Sequence, residues 1–565
     1  MLQEHAVTRT NSGRGRRLLW VGLAVLMSLV AAGCGGSSGG GGSADGSALT
    51  TDVTIAASGA PRSGGKVVYG LEAETDGFNP TANRWAASGY MVASAVFDPL
   101  AAFDDKGNWQ PYLAGSFTPS ADFRTWTIGL RPGVTFSNGQ PLDGAAVAQN
   151  LNTTRKDALT GAALANLSDV SVDPTDPMKV IVTATDPWAS FPTIMSGQIG
   201  FMAAPAQLDA GKPASSTQPI GTGPFIQQEW IPDNHWVGTR NPNYWRKDSS
   251  GTRLPYLDSV EFKPVVDPQT RLSALLAGDL TMMINSEWPV INRMRSEAAS
   301  GAIQLVFDHS ESEEALVLLN TESAQLKDVR VRRAMAECTD LAPVLAASET
   351  PAELAADSQF TAGSTFYVDT NFPRNDVAAG TALIDEVKAE TGGDVVVQLT
   401  TNPVPTYQAV TSLLAEQWSR CGITVQQNVE EQSKMVSDAV TGKLQAVLWR
   451  QFGGDDPDGN YVWWTGKNAR GLLALNVARL QDPQIDAALD RARATDDLTV
   501  RKEAYAELQR RQTELVPYIW LSHSQWTVGA AEDVRNIGNQ TLPDGGTARR
   551  FGGGVFRLTE VWLDK

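Results

Sequence analysis

Val395-Val396-Val397-Gln398-Leu399, Pro405 to Gly422, Ile423-Thr424-Val425, Glu431 to Val440 and Leu444 to Arg450 follow one another with short connections. The first is a near-continuous apolar run, as for a strand buried on both faces. Pro405 suits the first turn of a helix, and Val410, Leu413, Leu414 and Trp418 recur at helical spacing. Gly422 stops that helix, and a β-branched run opens a second strand. A further helix and strand complete a strand–helix–strand–helix–strand order, which implies a parallel sheet covered by helices.

Outward from this unit the pattern changes. Downstream, helices are predicted near Gln484–Ala494 and Arg501–Leu515. Upstream, Lys66-Val67-Val68-Tyr69-Gly70-Leu71 reads as a strand, and Thr125 to Leu130 alternates like a half-buried one. Asp143 is a good N-cap for a helix through Leu151, and Arg271 to Gly278 forms a helix that buries Leu272, Leu275 and Leu276. Turn clusters stand between them: Asp98-Pro99, Asp105-Lys106-Gly107-Asn108, Arg131-Pro132-Gly133 and Ser137-Asn138-Gly139. No repeat of 20–50 residues is visible.

The N-terminus has a different character. Arg14, Arg16 and Arg17 precede an apolar run of 15 residues, Leu18 to Ala32, too short for a membrane-spanning helix and right for an export signal. Ala31-Ala32-Gly33-Cys34 resembles the cleavage site of bacterial lipoprotein signals, with Ala31 where Leu is usual. The resemblance implies acylation of Cys34 and a soluble body held outside the membrane on the Gly/Ser-rich segment that follows. Arg16-Arg17 leaves general and twin-arginine export both open.

The chain has 565 residues and a formal net charge of −17. Residues 1–33 carry four arginines and one glutamate, so the rest sits near −20. Such a body is a poor binder of nucleic acid or anionic lipid. The length beyond the leader calls for two or three domains. With Cys34 acylated, Cys338 and Cys421 remain, and an oxidising compartment favours a disulfide between them. Closing that loop contributes about 4–5 kcal/mol in the chain-entropy account.

Several motifs then fall into an order. Gly64-Gly65-Lys66-Val67-Val68-Tyr69-Gly70-Leu71 leads to Phe78-Asn79-Pro80; Trp109 to Ala114 and Trp126 to Gly139 follow. Gly221-Thr222-Gly223-Pro224-Phe225, Asn241-Pro242-Asn243-Tyr244-Trp245, Leu254 to Asp258 and Asp328 to Met335 complete the set. In this order, over roughly residues 62–565, the chain resembles the extracytoplasmic solute-binding proteins of ABC importers, family 5, the oligopeptide and dipeptide binders. The resemblance implies an α/β, two-lobed periplasmic-binding-protein-like fold (type II, cluster C-like) with an extra domain inserted in the first lobe. It places a signal peptide at 1–33, a tether at 34–61, lobe I at 62–98, 219–311 and 521–565, the appended domain at 99–218 and lobe II at 312–520. Gly133, Gly139, Gly221 and Gly223 are expected at turns of positive φ. For Arg131 an ion-pair or backbone-clamping role and a solvated strand end are both open.

In peptide-binding members a loop acid pairs with the ligand ammonium, and in dipeptide binders an Arg holds its carboxylate. Here the corresponding positions fall at Gln451 or Phe452 and in Thr400 to Pro405, around Asn402, with neither charge present. A zwitterionic dipeptide is therefore expected to bind poorly, since a desolvated charge needs a partner. Asp455 and Asp456 are candidates for a cationic ligand group or for turn caps. Trp449 and the pair Trp463-Trp464, from a chain with 16 Trp, are candidate aromatic walls. Glu72, Glu74 and Tyr90 are candidates from the first lobe.

Catalysis finds no support. The four histidines, His5, His235, His309 and His523, offer no metal-ligand spacing, and there is no phosphate-binding Gly-x-x-x-x-Gly-Lys loop. Gly35-Gly36-Ser37-Ser38-Gly39 matches a nucleophile elbow only in letters, with no strand before it or helix after it. The expectation is a monomeric lipid-anchored solute-binding protein without cofactor or metal. It would capture a peptide, peptide-like or other small solute and deliver it to an ABC permease and ATPase complex. An envelope sensor or assembly factor on the same fold is the alternative.

Overall fold

The computed structural model describes residues 59–565, apart from residues 84, 159, 309–312, 452–455, 472, 539 and 553–554. Cys34, the signal segment and most of the tether lie outside the described residues, as do Phe452 and Asp455.

The parallel unit forms as its residues dictate. Val395–Thr401 pairs in parallel with Ile423–Val429 on one side and Ala446–Gln451 on the other, with the helices Pro405–Arg420 and Gln432–Val440 as crossovers. Two features differ from the expectation. Val396 and Gln398 are only half-buried, so the first strand is not covered equally on its two faces. The sheet is also mixed. Glu314–Leu319 and Tyr518–His523 extend it antiparallel, giving five strands in the order 423–429, 395–401, 446–451, 314–319, 518–523. Helix Pro405–Arg420 buries Val410, Leu414 and Trp418 against this sheet, while Leu413 is half-buried.

A seven-stranded sheet has Lys66–Leu71 near its centre, parallel to Ser259–Pro264 and Met282–Asn285. Its outer strands are antiparallel, with Thr527–Ala530 and Gln304–Phe307 at one edge and His235–Arg240 and Phe225–Ile231 at the other. A third sheet, of four antiparallel strands, lies between Ala114 and Ala184. Thr125–Leu130 is one of these strands, alternating buried and half-buried as its sequence does. Each sheet supports its own apolar core. The chain passes from the seven-stranded to the five-stranded sheet after Phe307 and returns between His523 and Thr527.

Glycine explains two of the family motifs. Gly133 and Gly139 have φ of 77° and 87° and turn the chain as expected. Gly221 and Gly223 do not have positive φ. A Cβ at Gly221 would lie 2.0 Å from the Val96 carbonyl oxygen, and one at Gly223 would lie 2.5 Å from the same atom. These positions are glycine because two backbones meet there. Arg131 acts as a clamp: Nε donates to the Tyr112 carbonyl at 2.6 Å and Nη1 to Asp544 Oδ1 at 2.7 Å.

The four-stranded body is pinned to the five-stranded one through Asp458. Its Oδ2 accepts from Trp188 Nε1 at 2.8 Å and Ser190 Oγ at 2.7 Å, and its Oδ1 from Arg493 Nε at 2.7 Å. The Arg493 guanidinium lies between two rings, 4.4 Å from the Trp188 centroid and 3.5 Å from that of Tyr461. All these groups are buried, and both carboxylate oxygens of Asp458 accept hydrogen bonds, which offsets the cost of burying the pair.

Cys338 and Cys421 are joined by a disulfide, with Cα atoms 6.5 Å apart. Gly380, in the helix Val377–Thr391, packs on it: a Cβ there would lie 2.2 Å from Cys338 Sγ and 3.1 Å from the Ala334 carbonyl. Neither a cross-linked sulfur nor a helical carbonyl yields readily. Gly380→Ala is therefore expected to lower the unfolding free energy in urea by about 1–3 kcal/mol despite the better helix propensity of alanine; an unchanged or raised midpoint contradicts this packing.

Candidate functional site

The two larger sheets face each other across a cavity of about 1050 Å³. Each side contributes through its strand ends and the loops that follow them. From the first come Glu72 and Glu74, after Lys66–Leu71, and Ser286 and Glu287, after Met282–Asn285. From the second come Asn402, Tyr407 and Trp449.

Arg450, near the end of Ala446–Gln451, spans the gap. Its Nη2 donates to Glu72 Oε1 at 3.0 Å and its Nη1 to Ser286 Oγ at 2.9 Å. Its Nε lies 3.4 Å from Glu313 Oε1, and its guanidinium carbon stands 5.1 Å from the Trp526 ring centroid. Glu313 Oε2 in turn accepts from Trp526 Nε1 at 3.2 Å. A second bond crosses nearby, from Tyr407 OH to Glu287 Oε1 at 2.7 Å. Trp526 and Glu313 flank the two chain crossings, so the cluster sits where the sheets are joined.

The electrostatics follow from burial and partners. Burial opposes the Arg450 charge, but Tyr407, Glu72, Glu313 and Glu287 outweigh it and hold the guanidinium protonated. Burial pushes the Glu287 carboxyl up, against the pull of the Tyr407 hydroxyl and Arg450. Burial likewise raises Glu313, against Arg450. Glu314 is driven far up by burial and by Glu313, which favours its neutral form. His523, opposite Glu314 in the strand register, is held down at about 4 by burial.

The residues singled out from sequence divide. Glu72, Glu74, Tyr90, Asn402, Trp449 and Asp456 all line the cavity, as does Trp463. Trp464 is core. Gln451 is buried in the sheet, opposite Glu314, and is not part of the cavity wall. Most of the polar candidates already have partners. Glu74 accepts from the backbone N–H groups of Thr75 and Asp233 at 2.8 and 2.9 Å. Asn402 Oδ1 accepts from the Val404 N–H at 3.1 Å. Asp456 caps the turn at Asp458 and pairs with Arg501 at 2.6 Å.

Arg450, Ser286, Glu287, Glu313 and Tyr407 were not singled out by the sequence reading. One signal was present: an Arg-Gln ending to an otherwise apolar strand, and a Glu-Glu pair opening another. Among the described residues no group of three or more His, Cys, Asp or Glu is placed to hold a metal ion.

Comparison with known proteins agrees with this geometry. The model of the bacterial extracellular solute-binding proteins, family 5 Middle, matches residues 108–471. The nickel-binding periplasmic protein of Escherichia coli K12 is 24% identical over 470 residues, covering 79% of this chain and 87% of that one. A glutathione-binding protein of Pectobacterium atrosepticum is 22% identical over 471 residues, covering 80% and 87%. The periplasmic binding protein DppA of Helicobacter pylori, solved with the peptide STSA, has the same fold. Its TM-score is 0.76 at 18% identity, over 89% of this chain and 99% of that one.

His523 yields a pH test. Its folded value of about 4 lies below the ordinary 6.5, so between those values the unfolded chain takes up a proton that the folded chain refuses. Its contribution is intact above pH 6.5 and drains as the pH falls toward 4. The raised carboxyls act in the opposite sense, so the quantity to follow is the stability difference between wild type and His523→Gln. That difference should move against the wild type by about 3 kcal/mol on acidification; a difference independent of pH contradicts a buried neutral imidazole.

Proposed function

We propose the following role for this chain, which belongs to the bacterial extracellular solute-binding proteins of family 5: it is the lipid-anchored capture component of an ABC importer. The seven-stranded body (62–98, 219–311 and 521–565) and the five-stranded body (312–520) act as two lobes, with 99–218 appended to the first. A solute entering between them is enclosed as they close and is handed to a membrane permease and its ATPase. The acyl group on Cys34 keeps the body near that permease.

The observation that carries this reading is the cavity between two sheets joined by only two chain crossings, with Arg450 and Tyr407 bonded across it. Contacts that exist only when the lobes meet favour the closed state, and a solute touching both lobes adds to them. The cavity volume, about 1050 Å³, is at the upper end of small-ligand sites, about 300–1,000 Å³, and suits a solute larger than a dipeptide. The segment Thr400 to Pro405 carries no arginine for a dipeptide carboxylate. Arg450 itself is occupied by Glu72, Ser286 and Glu313. Trp449 and Trp463 offer flat apolar surface to the solute body.

Two measurements test the reading. Titration calorimetry with free dipeptides such as Ala-Ala and Met-Leu should show no binding tighter than millimolar; sub-micromolar affinity overturns the proposed cavity use. X-ray scattering should give a smaller radius of gyration for the chain carrying its co-purified solute than for the same chain stripped by unfolding and refolding. Identical curves, with the solute proven by mass spectrometry, contradict capture by closure.

A further inference from the structure

The contact through Asp458 joins bodies that the solute-capture reading assigns to opposite lobes. The appended body, 99–218, is fixed to the first lobe by several bonds. Gln198 Nε2 donates to the carbonyls of Pro80 and Asn83 at 3.0 and 2.7 Å, Gln207 Nε2 to that of Phe78 at 3.0 Å, and Thr160 Oγ1 to that of Thr81 at 2.7 Å. Arg246 Nη1 donates to Tyr112 OH at 3.0 Å. Asp458 and Arg493 stand in the five-stranded body, 312–520. Where they meet Trp188 and Ser190 the cleft is spanned a second time, by groups separate from the Arg450 cluster.

Each side of this contact is held by its own body. The Trp188 N–H donates to the Phe123 carbonyl at 3.0 Å, and the Trp188 carbonyl accepts from Trp126 Nε1 at 2.9 Å. Asp458 is paired with Arg493, whose guanidinium rests on the Tyr461 ring. The bonds made between the bodies are the two donors to Asp458 Oδ2, the Trp188 ring over Arg493, and a backbone bond from the Ala189 N–H to the Arg493 carbonyl at 2.8 Å. Separation would leave Asp458 and Arg493 paired with each other and return only neutral donors to water. The cost of parting is that of hydrogen bonds and one ring face, with no charge stripped of its counter-charge. Arg450 differs, since it would part from Glu72. The cavity reaches this region: Thr160, Ala163 and Thr193 of the appended body line it, as do Asn460 and Val462 of the five-stranded one.

We propose that the appended body is a clasp: Trp188, Ala189 and Ser190 engage Asp458 and Arg493 as the lobes close, and hold the cavity shut on that side. The proposal rests on the two-lobe capture reading and gives residues 99–218 a part in it. Trp188 and Ser190 are positioning residues, which act through Asp458 rather than on the solute.

Hydrogen exchange of the full chain as purified, read by mass spectrometry at single amides, tests the clasp. The Ala189 N–H bonds across the contact, whereas the Ala184 N–H donates to the Arg124 carbonyl within the appended body at 2.7 Å. Ser190→Ala removes one donor to Asp458, and Asp458→Asn weakens the acceptor from the opposite lobe. Each is expected to speed exchange at Ala189 about tenfold and to leave Ala184 unchanged. Unchanged exchange at Ala189 in either variant overturns the clasp. So does equal acceleration at Ala184, which marks unfolding of the body rather than release. The scattering comparison is independent. Compaction with an Ala189 amide indifferent to both substitutions sinks only the clasp, whereas a responsive Ala189 in a chain that never compacts sinks capture by closure.

Discussion

A guanidinium group taken out of water must be met by carboxylate or hydroxyl oxygen, and Arg450 finds those partners mainly on the other side of the cleft. Glu72 and Ser286 come from the seven-stranded body, Glu313 and Trp526 from the crossings that join it to the five-stranded one. Separating the sheets would strip Arg450 of two of its partners while water returned to all of them. The contact therefore costs little only while both of its sides are present. Trp449, Glu72 and Glu287 line the cavity beside that contact.

The distribution of charge along the cavity gives the relatives a physical place. A nickel-binding protein, a glutathione-binding protein and a peptide complex share the architecture with this chain. What they share is the fold, at 18% identity to the solved structure. In this chain Arg450 meets Glu72 and Glu313, and Arg246 and Arg557 both lie over the ring of Tyr112.

Much of the fold was legible because it is locally encoded. The strand–helix–strand unit from Val395 to Gln451 needs only apolar periodicity, Pro405 and Gly422 to be read. The mixed character of its sheet was not legible, since Glu314–Leu319 and Tyr518–His523 arrive from segments some two hundred residues apart. Gly221 and Gly223 looked like turn glycines, and only the approach of Val96 shows why they carry no side chain. At the site, loop position marked Glu72, Glu74 and Trp449. Arg450 read as a strand end, because an ion pair between residues 378 positions apart leaves no local trace. Asp456 shows the converse: an acid in a promising loop was already committed to a cap and to Arg501.

The central claim is that cross-cleft contacts to Arg450 bias the lobes toward closure. Nitroxide labels at Ser296, on the helix Trp288–Ala299, and Ser419, on the helix Pro405–Arg420, report the separation of the two bodies by pulsed electron resonance. In the solute-stripped chain, Glu72→Gln combined with Ser286→Ala should shift population from a short to a longer distance, leaving the Arg450–Glu313 contact in place. A distance distribution unchanged by the double substitution would contradict the account.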